Sequence, residues 1–326
     1  MALGKVEVKL YVYDGTSGSF SSSDLKYEIS KERITSQTGI TLEIAELVRD
    51  YLTISFNNDY PINTRWVSAV VSYYNESGVL FTYSNPQTFS YLALDGYGIF
   101  EDGVNPQLSD NALISTDNIY LPENTAGKFP VFKEGVGKVI IDSTTTEITD
   151  SGDSNQKIQY ITIPANSSTF KVYDTDDATL LKTVTIHNIC EPKYTPYKVT
   201  FVNKFGAYQD VYFFKKTTES FSVTDENYNR NIISSSSYNT YDNEKQRYNL
   251  NSKTSLILNT GFITEDANST IEELFLSENA WIRYDSKTLA IIPKSKTFDY
   301  KTSLNDKLIN YTVDFEFAFN KINNVR

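Results

Sequence analysis

The only histidine and the only cysteine of this chain lie three residues apart, as His187 and Cys190 in the stretch HNIC. An imidazole and a thiolate together could bind a metal ion or act as base and nucleophile. A structural zinc site needs four ligands, however, and residues three apart on a strand point to opposite faces of the sheet. We therefore interpret this pair as ordinary packing or a strand edge.

Three aspartates in the stretch VYDTDDATL, namely Asp174, Asp176 and Asp177, carry hard oxygen donors of the kind that calcium prefers. The stretch lacks the glycine and the downstream bidentate glutamate that complete a loop of the EF-hand type. A solvated turn between two strands is the alternative, and it is the interpretation that the spacing favours.

Four acids, Glu265, Asp266, Glu272 and Glu273, could supply the paired carboxylates of a glycosidase. Their position around the start of a predicted helix favours a different role, which is to complement the helix dipole and cap its first turn. A Gly-x-Ser-x-Gly elbow, a P-loop and a Gly-x-Gly-x-x-Gly pattern are absent from the sequence. The sequence therefore predicts no catalytic residue, no metal site and no cofactor, and so no enzyme.

Tyrosines 238, 241 and 248 form a second kind of candidate, because aromatic rings stack on sugars and also make protein contacts. Tyr238, Tyr241 and Tyr248 lie in the stretch SSSSYNTYDNEKQRYNLNSK, which is predicted to be a long polar loop. Carbohydrate binding, protein contact and simple solvent exposure all remain open for these three side chains.

The composition limits the partners of the chain. Its net charge is −11, with 24 Tyr and 19 Phe among 326 residues. This charge opposes sequence-independent binding to nucleic acid or to anionic lipid, so neither is expected as a partner. One cysteine excludes an intrachain disulfide. No secretory signal and no apolar run of membrane-spanning length occurs, so we expect a soluble chain made in the cytoplasm.

The pattern of strands and turns divides the chain into three ranges. Residues 1–103 are predicted to form a β-rich domain with one amphipathic helix, Glu43 to Tyr51, of two to three turns. Residues 104–195 are a lighter, more polar β domain, in which TTTEITDSGDSNQK is the expected protruding loop. Residues 196–326 form a β-rich domain with one short helix, opened by a capping box of Ser269 and Glu272. The expected fold class is mainly β, with multi-domain β-sandwich-like modules and a few short helices.

Two segments are candidates for core or subunit contact. In the helix, Ile44, Leu47, Val48 and Tyr51 fall on one face. In the closing stretch LINYTVDFEFAFNKINNVR, every second residue from Ile309 to Phe319 is apolar, which predicts one strand with a buried face. The candidates of this second row are Tyr311, Val313, Phe315, Phe317 and Phe319. Burial within their own domain and contact with a neighbour are both compatible with these patterns.

Five stretches together resemble virion structural proteins of tailed bacteriophages, mainly tail or baseplate components of phages of marine and Bacteroidetes-type hosts. They are ITLEIAELVRDYL, LALDGYGIFEDGVNPQ, TFVNKFGAYQDVYFFKK, STIEELFLSENAWI and KTSLNDKLINYTVDFEFAFNKINN. The resemblance covers both ends of the chain, is weakest over residues 125–190, and carries no active-site residue.

The resemblance implies a structural subunit of a phage tail or baseplate, located in the virion and synthesised in the host cytoplasm. Such a chain would assemble into a symmetric ring or tube, with copies of itself and with other tail proteins as partners. The alternative is a receptor- or glycan-binding tail protein that uses the loop around Tyr241 in host adsorption. A tail-associated glycosidase is a third possibility, which rests only on the scattered carboxylates.

Overall fold

The protein is mainly β and has a multi-sheet, sandwich-like fold, which confirms the predicted fold class. A computed structural model describes residues 2–82, 85–104, 111–295, 297, 299–301 and 308–322. Each of the three larger sheets lies within one of the three predicted ranges. Whether each range folds as a unit by itself stays a prediction.

The first sheet has four antiparallel strands in the order β2-β1-β3-β4. Its strands are β1 (Leu3–Tyr13), β2 (Leu25–Glu32), β3 (Arg65–Asn75) and β4 (Gln87–Ala93). The alternation of β1 buries Val8, Leu10 and Val12 on one face. The segment around helix α1 (Ala45–Arg49) covers that face, with Val48 buried and Ile44, Leu47 and Tyr51 partly buried against it.

The predicted helix is shorter than expected. It was predicted to run from Glu43 to Tyr51, but α1 spans only five residues, Ala45–Arg49, and its N-cap residue Ile44 makes no side-chain cap. A single turn without a cap gains little from helix propensity, so the helix depends on packing of its apolar face. The apolar positions were nevertheless predicted correctly, because they bury against the sheet within their own chain.

The middle range packs a five-stranded sheet, in the order β5-β11-β10-β7-β8, against the two-stranded ribbon β6-β9. Its strands are β5 (Asn118–Pro122), β6 (Gly127–Phe132), β7 (Lys138–Ile141), β8 (Thr144–Glu147), β9 (Ile158–Ile163), β10 (Thr169–Tyr173) and β11 (Leu180–Ile189). Phe129 and Phe170 stack in the shared core, with ring centroids 4.0 Å apart.

The third range contains a seven-stranded antiparallel sheet in the order β13-β12-β17-β18-β20-β15-β14. These strands are β12 (Tyr197–Val202), β13 (Tyr208–Phe213), β14 (Thr218–Asn229), β15 (Lys245–Asn259), β17 (Ala280–Tyr284), β18 (Lys287–Pro293) and β20 (Thr312–Phe317). A small second sheet pairs β16 (Ile263–Thr264) with β19 (Leu308–Ile309).

The seven-stranded sheet curls on itself. Phe213 at one end of the strand order packs edge-on against Phe315 four strands away, with centroids 5.7 Å apart. The chain leaves β13 and enters β14 directly, and Lys215 N–H donates to the Asn259 carbonyl of β15 at 3.1 Å. The two halves of the sheet therefore face each other across one core, and helix α2 (Asn268–Leu276) adds Leu274 to it.

The alternating apolar residues of the closing stretch are divided between two elements. The chain does not form one strand from Ile309 to Phe319, because the ladder is interrupted at Asn310 and Tyr311. Ile309 and Tyr311 bury against helix α2, whereas Val313, Phe315 and Phe317 bury inside the curled sheet. Phe319 lies beyond the strand and is 49% exposed. Four of the five candidates are thus buried within their own chain, and whether the exposed Phe319 contacts a neighbouring subunit stays a prediction.

The stretch TTTEITDSGDSNQK, which we expected to protrude, is docked on the first sheet. Its start forms β8, and its later part meets the end of β1, where Thr16 and Ser154 form a bridge. Asn155 Nδ2 donates to the Thr64 carbonyl at 2.8 Å, and Trp66 Nε1 donates to the Asp153 carbonyl at 2.8 Å. A polar stretch can be ordered in this way because its partners are backbone groups that also need hydrogen bonds.

The three ranges also share hydrophobic cores. Tyr212 of β13 and Phe214, just after this strand, complete the core of the middle range. Phe56 of the first range packs against Tyr208 and Trp281 of the third, with ring centroids 5.2 and 5.4 Å away. Tyr208 Oη also donates to the Ser55 carbonyl at 2.7 Å. The ranges are therefore joined by buried contacts rather than by linkers alone.

Candidate interaction surface

The most conspicuous surface feature is a two-stranded ribbon that extends from the seven-stranded sheet. Strands β14 and β15 pair from Thr218 opposite Ile257 out to Asn229 opposite Lys245. Strand β20 accompanies β15 only over Ser255 to Asn259. The segment after β20 then contacts β15, where Lys321 N–H donates to the Ser252 carbonyl at 2.8 Å and Ile322 N–H donates to Asn251 Oδ1 at 3.3 Å. Beyond these contacts the two strands continue as a ribbon, and we define residues 219–254 as the arm. Its tip is the connecting segment, residues 230–244.

The arm carries large apolar side chains on an exposed surface. All residues of β14 are exposed except Asp225, which is half-buried. Phe221 is 58% exposed, and Val223, Tyr228 and Tyr248 are exposed as well. At the tip, Tyr241 is 81% exposed and Tyr238 is also exposed. Isolated two-stranded hairpins are marginally stable in water, so such a ribbon gains most from contact with another surface.

The side-chain contacts within the arm lie at the surface. Arg247 Nε donates to Asp225 Oδ2 at 2.8 Å, and the rings of Tyr228 and Tyr248 meet edge-on at 5.7 Å. The hydrogen bond to Arg247 lowers the pKa of Asp225, and the hydrogen bond to Asp225 raises the pKa of Arg247. Exposed ion pairs contribute little to stability. The arm is thus pre-shaped by its ladder rather than held by a core.

At the base of the arm, the open end of the curled sheet forms a groove of about 180 Å³, which we call the mouth. It is lined by Glu219, Thr254, Tyr284, Leu289, Phe317, Phe319 and Lys321. Tyr284 Oη donates to Glu219 Oε2 at 2.9 Å, and this hydrogen bond, followed by burial, raises the pKa of Tyr284 to about 12. The groove therefore has aromatic walls and a carboxylate at its rim.

The three predicted binding tyrosines all lie on the arm. Tyr238 and Tyr241 belong to its tip, whereas Tyr248 lies on strand β15. The prediction of one long polar loop was therefore wrong over residues 245–253, which are a strand. What these tyrosines bind stays a prediction.

His187 and Cys190 each contact different neighbours. The His187 ring stacks on Tyr120 at 4.7 Å, and its Nε2 lies 2.8 Å from Asn118 Oδ1. Burial lowers the pKa of His187, while a hydrogen bond to Glu123 and its charge raise the pKa of the exposed Cys190 thiol. A raised pKa leaves less thiolate, which is the opposite of what a nucleophile needs.

The aspartate turn binds its own backbone. Asp176 Oδ1 accepts from the N–H groups of Ala178 and Thr179 at 2.9 and 2.8 Å. Asp174 Oδ1 accepts from Thr175, whose hydroxyl is 2.9 Å away. Throughout the part of the chain that the structure describes, no group of three or more His, Cys, Asp or Glu is arranged to hold a metal ion.

The acids near α2 fasten the third range to the middle one. Asp266 Oδ2 accepts from the Asp117 N–H at 2.8 Å and from the Thr116 hydroxyl. Glu273 is buried and accepts from the Ser115 hydroxyl and from the Lys204 N–H, the latter at 3.3 Å. Each carboxylate is thus occupied by its own donors.

The predicted capping box is absent. The N-cap residue of α2 is Ala267 and makes no side-chain cap, because a short 3-10 turn, Glu265–Ala267, runs directly into the helix. Ser269 lies inside the helix instead, where its hydroxyl donates to the Asp266 carbonyl at 3.0 Å. The helix buries Ile271 and Leu274 on its inward face.

The arm and the mouth were not identified from the sequence. A signal was present in TESFSVTDENYN, where Phe221 and Val223 alternate with small polar residues. No local pattern in the sequence indicates the mouth, because its lining residues come from five separate strands and from the segment that follows β20.

Comparison with known proteins gives no family to which the chain can be assigned. No protein-family model matches the chain, and no curated protein matches it. In the described ranges, the helices are all too short or too polar to cross a membrane.

Proposed function

We propose that the chain is a structural subunit of a tailed-bacteriophage virion, located in the tail or baseplate, which acts through protein contacts. The observation that carries this proposal is the arm, a ribbon that displays Phe221, Val223 and Tyr241 away from the body of the molecule. Exposed apolar groups on an extended ribbon are typical of surfaces that another chain covers.

The reactive side chains support a structural role. The histidine is stacked and hydrogen-bonded, and the carboxylates of Asp266 and Glu273 serve as acceptors between two packed ranges. The phage assignment itself comes from the resemblance of five stretches to virion proteins. The acidic net charge of −11 agrees with a partner that is neither nucleic acid nor a membrane.

Electron microscopy and mass spectrometry of purified virions test this proposal. The chain should be found in intact particles at a fixed ratio to known tail proteins. A variant in which residues 224–249 are replaced by a tight turn should still fold, because these residues lie outside the cores, but it should be missing from particles. Absence of the unaltered chain from intact particles would refute the proposal.

The second candidate function is host recognition by the tip. It is favoured by the exposure of Tyr238 and Tyr241 at the far end of the arm. If the tip binds a receptor or glycan, Tyr238→Ala with Tyr241→Ala should abolish adsorption to the host while particles still assemble. If the tip serves assembly, the same change should reduce the yield of complete particles.

A further inference from the structure

The inner face of the arm continues the lining of the mouth. In the register of the arm, Phe221 lies opposite Thr254 and Val223 lies opposite Ser252. Glu219 and Thr254, on the same face, line the mouth together with Phe319. Phe319, Phe221 and Val223 are all exposed, and we call these three side chains the strip. The Lys321 ammonium lies over the Phe221 ring, 5.0 Å from its centroid.

The mouth has the size and chemistry to receive one aromatic side chain. Its volume is about 180 Å³, and a dry apolar cavity of roughly 150 Å³ is sufficient to hold benzene. Tyr284, Phe317 and Phe319 form a chain of ring contacts with centroids 5.6 and 5.5 Å apart. Glu219 and Lys321 add a carboxylate and an ammonium group at the rim, both of which can hydrogen-bond a phenol. A tyrosine on an extended segment fits this site.

The tip of the arm presents such tyrosines but cannot reach the mouth of its own copy. The ribbon continues from Thr254 at the mouth to Lys245 at the tip, which corresponds to about 30 Å at ~3.4 Å per residue. The ladder has one register shift, between Thr224 and Glu226, and is paired on both sides of it, so the tip cannot fold back onto the mouth without breaking these hydrogen bonds. A contact between tip and mouth therefore has to join two copies.

The net charge opposes contact between two copies, but the local charges of the tip and the mouth permit it. Each copy carries a net charge of −11, so two copies attract only where their contact surfaces are locally balanced. The mouth carries one acid and one base, Glu219 and Lys321. The tip carries Arg230 with Asp242 and Glu244, so a base can face Glu219 and an acid can face Lys321.

We propose that the tip of one copy docks in the mouth of the next, with Tyr238 or Tyr241 inserted between the aromatic walls and the strip covered by the incoming ribbon. This inference rests on the proposed function, for which it names the partner and the contact. Because tip and mouth are different surfaces, the contact is heterologous and repeats from copy to copy, giving a closed ring or an open filament.

Analytical ultracentrifugation of the whole chain and of two variants tests the docking. The tip variant carries Tyr238→Ser and Tyr241→Ser, and the mouth variant carries Phe221→Ser and Phe319→Ser. The wild-type chain should self-associate, and each variant alone should associate at least ~10-fold more weakly, as expected when an aromatic anchor is lost. Phe100→Ser changes a phenylalanine that is exposed but lies outside the arm and the mouth, so this control should associate like the wild type.

Mixing the two variants gives the decisive result. The mouth variant keeps an intact tip and the tip variant keeps an intact mouth, so an equal mixture should form heterodimers that go no further. If the mouth bound another mouth, the tip variant alone would still dimerise. If the tip bound another tip, the mouth variant alone would still dimerise. Either result, or a wild-type chain that stays monomeric across the concentration series, would overturn the inference.

The circular dichroism melting curves of the variants should match the wild type, because the changed side chains are exposed. If the double mouth change lowers the melting temperature, Lys321→Glu, which reverses the charge of an exposed residue at the rim, serves as the mouth variant. The inference and the proposed function fail separately. If the chain is present in virions but does not self-associate, only the docking is refuted. If the two variants form heterodimers but the chain is absent from virions, only the virion assignment is refuted.

Discussion

Single polar side chains at the junction of the three ranges hold the ranges together through hydrogen bonds. Asn203 is fully buried, and its Nδ2 donates to the Leu113 carbonyl at 2.6 Å and to Gln209 Oε1 at 2.9 Å. Its Oδ1 accepts from the N–H groups of Phe205 and Ala207, both at 3.1 Å. A buried side chain with every group paired fixes one arrangement, because any other leaves polar atoms unsatisfied.

The turn beside Asn203 adds a second constraint at the same place. Gly206 has a φ of +76°, and a Cβ at this position would lie 2.8 Å from the Asp95 nitrogen. Tyr97 N–H donates to the Lys204 carbonyl of this turn at 2.9 Å. The glycine therefore permits both the left-handed turn and the close passage of the segment that leaves the first sheet.

Glu273→Gln tests the buried carboxylate through pH. Burial is the main cause that raises the pKa of Glu273 above its usual 4.5. The native state then binds the proton more tightly than the unfolded state, so the contribution of Glu273 to stability falls as pH rises above 4.5. The loss of unfolding free energy caused by Glu273→Gln should be largest in acid and shrink towards neutral pH, as measured by urea unfolding at several pH values.

Glu272→Gln is the matched control for this measurement. It removes the same charge from the neighbouring helix position, where the side chain is only half-buried. Its effect should change with pH much less than that of Glu273→Gln. A loss from Glu273→Gln that is independent of pH would contradict the role assigned to burial.

At the scale of elements, the closing segment illustrates how one apolar row can serve two purposes. Val313 and Phe315 are fully buried between strands β15 and β18, whereas Phe319 lies beyond the ladder at the rim of the mouth. Alternation in the sequence indicates which face is apolar, but not where the covering strands end. The same pattern therefore contributes both core and exposed surface.

Phe315→Ala and Phe319→Ala separate these two contributions. Phe315 packs against Phe213 and is 0% exposed, so truncation should lower the free energy of unfolding by about 3–5 kcal/mol. Phe319 is 49% exposed, and its truncation should cost less than about 1 kcal/mol. Denaturant unfolding of both variants measures the difference. Equal losses would mean that the two side chains share one environment.

Much of the strand content could be predicted from the sequence, and the failures have physical causes. The apolar faces of the first helix and of the closing strand were indicated by the sequence, because each is a local pattern with one buried face. The outer part of β15 was predicted as loop, since a ribbon exposed on both faces has no apolar period. Asn155 and Tyr208 gave no signal at all, because their partners are 91 and 153 residues away.

At the scale of the whole molecule, shared cores couple ranges that look separate in the sequence. The middle core contains Tyr212 and Phe214 of the third range, and the Phe56 cluster reaches from the first range to the third. Tyr60 donates a hydrogen bond to Asp210, and Lys198 Nζ donates to Tyr60 Oη at 2.8 Å. Removing one range would expose the apolar surface of the others, so the ranges should stabilise one another.

The two tryptophans allow this coupling to be measured. Trp66 lies on β3 in the first range and Trp281 on β17 in the third. Trp66→Phe leaves Trp281 as the single tryptophan, and Trp281→Phe leaves Trp66. In each variant, the denaturation midpoint from tryptophan fluorescence should equal the midpoint that far-UV circular dichroism gives for the same variant. Adding Tyr212→Ala, which opens the core shared by the middle and third ranges, should lower both midpoints together, because the third range in turn packs against the first. If the midpoint reported by Trp66 stayed unchanged while that of Trp281 fell, the first range would be an independent unit and the shared cores would be contacts without cooperativity.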